Sequence, residues 1–108
     1  MEHDGNVVIF ITASTEEEAR NLSRAILEHR AAACVNIVPH ITSIFRWQGA
    51  LETAQEHLLI AKTRASKLEE VVQLIKDAHS YAIPEVIAMP VIGGNQEYLE
   101  WIGKEVTP

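Results

Sequence analysis

The stretch AAACVNIVPHITSIFRWQG, Ala31 to Gly49, decides the fold of this chain. Up to Pro39 it is almost entirely small or β-branched. Beyond Pro39, apolar and polar residues alternate as far as Phe45, Arg46 and Trp47. Val, Ile, Thr and aromatic residues at this density read as strand. The run is long, since strands in globular domains average about 5–6 residues. A proline in mid-run belongs on an edge strand or at a bulge. A long, partly apolar edge presents unpaired backbone groups that invite another chain. The stretch therefore predicts a ribbon that bends at Pro39. Ala32 to Val38 would stay in its own sheet, and Ile41 to Trp47 would reach a second copy.

Working outward, Val7 to Ile11 is an unbroken apolar run, the pattern of a strand buried on both faces. Thr15 with Glu18 three residues on has the form of a helix-capping box, and Glu16 to Glu18 suit the positive end of the helix dipole. Ala19, Leu22, Ala25 and Ile26 share one face of that helix, which ends near Arg30. After the ribbon, Gly49 to Ala54 forms a turn, and a strand runs from about Gln55 to Thr63 through Leu58, Leu59, Ile60 and Ala61. Ser66 with Glu69 predicts the cap of a second helix, whose apolar stripe is Leu68, Val71, Val72, Ile75 and Ala78. Pro84 keeps Ile83 extended, and Glu85 to Val91 forms a fourth strand. Asn95 caps a short last helix that Gly103 ends.

The order is βαββαβ plus a terminal helix. That order predicts the α+β, ferredoxin-like sandwich, one domain over residues 1–108, with a long hairpin between the second and third strands. Both helices land on one sheet face. Yet the central strands are apolar at consecutive positions, so the other face also calls for burial. A second copy would supply it. The competing expectation is that the last helix, with Tyr98 and Trp101, folds over that face.

Composition narrows the functional classes. A net charge of −6, with Lys and Arg scattered, argues against a nucleic-acid binder. No apolar run approaches the roughly 20 residues that cross a bilayer. Cys34 is the one cysteine, so no disulfide forms within a chain. With no signal-peptide pattern in MEHDGN, the expectation is a cytoplasmic protein that engages no membrane.

Among five histidines, His3, His29, His40 and His57 show no paired metal-ligand spacing and read as ordinary surface or half-buried residues. His79 stands apart. It follows the second helix, two residues before Tyr81 and six before Glu85. Imidazole, phenol and carboxylate on one irregular segment suit a site, and a His capping the helix C-terminus is the structural alternative. Cys34 reads as buried and inert. Arg46 and Trp47 read as interface anchors. No acid, base and nucleophile converge, so no enzymatic activity is expected.

Four blocks in order, AACVNIVPHITSIFRWQG (32–49), LLIAKT (58–63), HSYAIPEVIAMPV (79–91) and NQEYLEW (95–101), closely resemble the CutA family of divalent-cation tolerance proteins. The resemblance implies a homotrimer on the plan of PII-type signalling proteins, with sheets packed face to face. It also implies a part in tolerance of copper and other divalent metals. The family's copper-ligand positions, a first-strand cysteine and two adjacent histidines, correspond to Ile11, Ala78 and His79 here, so only His79 keeps a donor. The family's usual next residue, proline, is Ser80. Copper or another divalent cation, weakly held, is thus the implied cofactor.

The expected pocket lies between subunits and is lined by Trp47, Glu56, Lys62, His79, Tyr81 and Glu85, polar or amphipathic side chains in otherwise apolar or extended segments. Two alternatives accompany the metal-tolerance function: a PII-like small-molecule or anion sensor with Lys62 as the cation, and a purely structural assembly module.

Overall fold

The computed structural model describes residues 4–106. In chain order it contains β1 (Asn6–Ala13), α1 (Glu16–Glu28), β2 (Cys34–Trp47), β3 (Ala50–Arg64), α2 (Leu68–Ala78), β4 (Val86–Pro90) and α3 (Gln96–Glu105). The four strands form one antiparallel sheet in the order β2-β3-β1-β4, so β3 lies between β2 and β1 as the ferredoxin-like plan requires. His3 lies outside the described residues.

Alternation along the strands decides which face holds the core. Ile9 and Ile11 of β1 stand opposite Ala61 and Leu59 of β3, and all four are fully buried. Leu22 and Ile26 of α1 and Val71 and Ile75 of α2 close over them. Burying each such Val, Leu or Ile side chain contributes about 1.5–3 kcal/mol. The intervening residues Val8, Phe10, Leu58 and Ile60 point to the other face and are only half-buried. On the same face Ile87 and Met89 are 53% and 41% exposed. The helix α3 reaches only one end of that face and leaves Ile87 and Met89 open. Tyr98 meets Cys34 at one end of the sheet, and the Arg30 guanidinium donates to the carbonyls of Glu105 and Lys104 at 2.8 and 3.0 Å. A cation there satisfies the last carbonyls of the helix.

Several local expectations are corrected. The turn expected over Gly49 to Ala54 is only Gln48 and Gly49, with φ of 50° and 85°, the two-residue geometry that matches strand twist. It was obscured because glutamine stands where asparagine or aspartate usually signals such a turn. β3 therefore starts at Ala50. Ser66 does not cap α2. It lies in a short 3-10 turn, Ala65–Lys67, and its backbone N–H donates to Asp4 Oδ1 at 2.9 Å. Gly103 does not end α3 but lies inside it, where an added Cβ would come 2.7 Å from the Arg64 guanidinium. The caps at Thr15 and Asn95 form, accepting from the N–H groups of Glu18 and Glu97.

Candidate functional site

The candidate site is built by a slip in the β2–β3 ladder. Val38 pairs with Leu58, but Ile41 pairs with Glu56, so Pro39 and His40 form a bulge. Side chains alternate strictly along a strand, so one extra residue moves every later side chain to the other face. Before the bulge, Val35 and Ile37 face the core with Ala61 and Leu59. After it, Phe45 and Trp47 share the face of Glu52 and Glu56, opposite the core. The proline expected to bend the ribbon thus also selects its lining.

The second wall comes from the segment after α2. His79 caps that helix in an extended conformation, its N–H bonded to the Ile75 carbonyl. Its side chain is fully buried. Nδ1 accepts the Tyr81 N–H at 3.0 Å, which leaves the proton on Nε2, and Nε2 donates to the Thr12 carbonyl at 2.7 Å. The ring of Tyr81 packs against His79 at 4.8 Å between centroids, and its hydroxyl donates to Glu56 Oε2 at 2.8 Å. Glu56 is itself buried. From the α1 side, Glu18 accepts from the backbone N–H groups of Ser14 and Ser80 at 2.9 and 2.7 Å. This carboxylate ties the start of α1 to the segment that carries Tyr81.

Between the hairpin and this segment lies an open cavity of about 690 Å³. Phe45, Trp47 and Tyr81 supply its aromatic walls, and Glu52, Glu56 and Glu85 its charge. No Lys or Arg lines it. Burial raises the Tyr81 hydroxyl to about 12, helped by its bond to Glu56 and by the charges of Glu56 and Glu18. Burial and then the Glu56 charge also raise Glu85 above the usual carboxylate range. Burial would raise Glu18 too, but its hydrogen bonds from Ser14 and Ser80 prevail and hold it at about 2. The arrangement is a negatively charged, aromatic-walled cleft, suited to a cation.

Four of the six expected pocket residues, Trp47, Glu56, Tyr81 and Glu85, line one cavity. His79 lies behind Tyr81 and positions it. Lys62 does not join them within the chain. It shares the sheet face of Glu56 but lies six residues along β3, roughly 20 Å away at strand rise, and bonds Asn36. Sequence reasoning missed Thr12, Phe45 and Glu52. It also recognised Glu18 only as a cap, because its partner Ser80 is 62 residues distant.

A family model described as CutA1 divalent ion tolerance protein matches residues 7–105. The chain belongs to the CutA1 family. It is 46% identical over 95 residues to a divalent-cation tolerance protein CutA from Thermus thermophilus, covering 88% of this chain and 92% of that one. It is 44% identical over 97 residues to a chloroplastic CutA 1 of Oryza sativa, covering 90% of this chain but 55% of the plant protein. Among solved structures, the T. thermophilus protein superposes with a TM-score of 0.91 at 44% identity, covering 93% of this chain and 97% of that one. A protein titled periplasmic divalent cation tolerance protein CutA, from Archaeoglobus fulgidus, gives 0.92 at 43%, covering 94% and 99%.

In this CutA1 chain the positions Ile11, Ala78 and His79 do not make a metal site. Ile11 is fully buried in the core, Ala78 carries only a methyl group, and His79 uses both ring nitrogens in hydrogen bonds. Cys34 lies on another strand, beside Tyr98. Among the described residues, no group of three or more His, Cys, Asp or Glu gathers to hold an ion. No helix of the described residues is long and apolar enough to cross a membrane.

Proposed function

We propose that this chain acts in divalent-cation tolerance as a non-enzymatic, cytoplasmic homotrimer whose working site is the Glu56–Tyr81 cleft, selecting a cation. The observation that carries this is the lining of the cleft: three carboxylates, three aromatic rings and no cationic side chain. Glu56 and Glu85 would hold a divalent ion through oxygen atoms or its bound waters, with weak affinity, since carboxylates suit hard ions better than copper. The trimer is supported by the half-open apolar sheet face, by Ile44 and Leu51 on the projecting hairpin at 70% exposure each, and by the family resemblance. A single cysteine is consistent with a reducing compartment. The alternative is anion sensing through Lys62, which within one chain shares the sheet face of Glu56 and lies apart from the cleft.

Thermal shift tests the reading. Magnesium, manganese or copper, or a small organic ammonium ion, should raise the melting temperature, and Glu56→Gln should abolish the rise. A rise with nucleotides or phosphate but not with cations would favour the anion sensor. Silence throughout would favour an assembly module. Light scattering should give about three times the 12.0 kDa chain mass, and a monomer would overturn the assembly.

A further inference from the structure

The bulge leaves a second mark on the opposite side of β3. His40, within the bulge, has a φ of 59°, a left-handed conformation uncommon outside glycine. Its ring lies 5.6 Å from that of His57, centroid to centroid, with the planes inclined at 51°. His57 stands opposite Ala13, on the core side of the sheet, and Glu56 points the other way. The pair is therefore separate from the cleft. His57 Nδ1 is buried and has no hydrogen-bond partner. Buried polar atoms nearly always have one, so the exception calls for an explanation.

A shared metal ion supplies one. With metal–nitrogen bonds of about 2.0–2.1 Å, each ring centroid lies about 3.2 Å from the ion. With one nitrogen of each ring turned to a common ion, a separation of 5.6 Å would correspond to an angle of about 120° at the metal, near the tetrahedral value. Imidazole nitrogen suits zinc and copper. We propose that His40 and His57 form a two-imidazole site for a divalent ion of the zinc–copper type, clipping β2 to β3 across the bulge. With only two protein donors, water fills the remaining positions. Such an ion is exchangeable rather than structural, because structural sites close with four protein ligands.

The experiment is a copper titration of the full chain followed by electron paramagnetic resonance, in a His3→Ala background. The His3 imidazole is itself a copper donor, and this background removes it. The expected spectrum shows two coordinated nitrogens at one ion per chain. His40→Ala and His57→Ala should each remove one nitrogen and weaken binding at least about tenfold. His29→Ala, at the exposed end of α1, should change neither. His40 is exposed, so its variant tests the site even if His57→Ala fails to fold. An unchanged spectrum in His40→Ala, or no saturable binding, overturns the site. A response lost in Glu56→Gln but kept in His40→Ala also overturns it and leaves the cleft standing. The reverse pattern supports the histidine pair and counts against the cleft as the ion's holder.

Discussion

Replacing Glu18 with glutamine measures how strongly one carboxylate holds the cleft together. Its two oxygens accept from the Ser14 N–H and hydroxyl at 2.9 and 3.0 Å and from the Ser80 N–H at 2.7 Å. These bonds outweigh burial, and the group sits at about 2 instead of 4.5. At about 1.4 kcal/mol per pH unit, that depression corresponds to at most about 3 kcal/mol. The side chain is 12% exposed, so solvent screening reduces the expected value to about 2–3 kcal/mol. The sign follows from linkage. A carboxylate with a depressed folded pKa contributes its full stability above the unfolded value near 4.5 and loses it as pH falls toward about 2. Urea unfolding at fixed chain concentration, stepped from pH 7 to pH 2, should show Glu18→Gln less stable by about 2–3 kcal/mol at pH 7. The gap should close across the window from about 4.5 down to about 2. A gap that stays constant across that window, or none at neutral pH, refutes the assignment of this carboxylate as the tie between α1 and Ser80.

Three further outcomes are expected. In Glu56→Gln, ultraviolet titration should find Tyr81 ionising below about 12 yet still above 10.0, because burial, the largest cause, and the Glu18 charge remain. Leu59→Ala empties a fully buried position beneath both helices and should cost about 2–5 kcal/mol in denaturant unfolding. Gly103→Ala would ordinarily stabilise a helix interior by up to about 1 kcal/mol. Here the new methyl displaces the Arg64 guanidinium from its 2.7 Å bond to the Asp4 carbonyl, at a cost of about 1 kcal/mol, so the net change in melting temperature should be near zero.

The periodicities in the chain were enough for the element order, because each signal is local. Unbroken apolar runs mark Val7 to Ile11 and Leu58 to Ala61 as strands, helical spacing marks Leu22, Ile26, Val71 and Ile75, and side-chain oxygens at Thr15 and Asn95 mark helix starts. Ala31 to Gly49 likewise declared a long strand broken at Pro39. Candidate residues near one another in sequence, His79, Tyr81 and Glu85, were legible as a group for the same reason. Tertiary structure decided what those residues do. Only the pairing register shows that the bulge puts Phe45 and Trp47 on the face of Glu56 and brings His40 against His57. Only packing shows that both nitrogens of His79 are already engaged, or that Glu18 reaches across 62 residues to Ser80. Register and burial depend on contacts between distant segments, and a one-residue slip reverses a face without altering any local propensity.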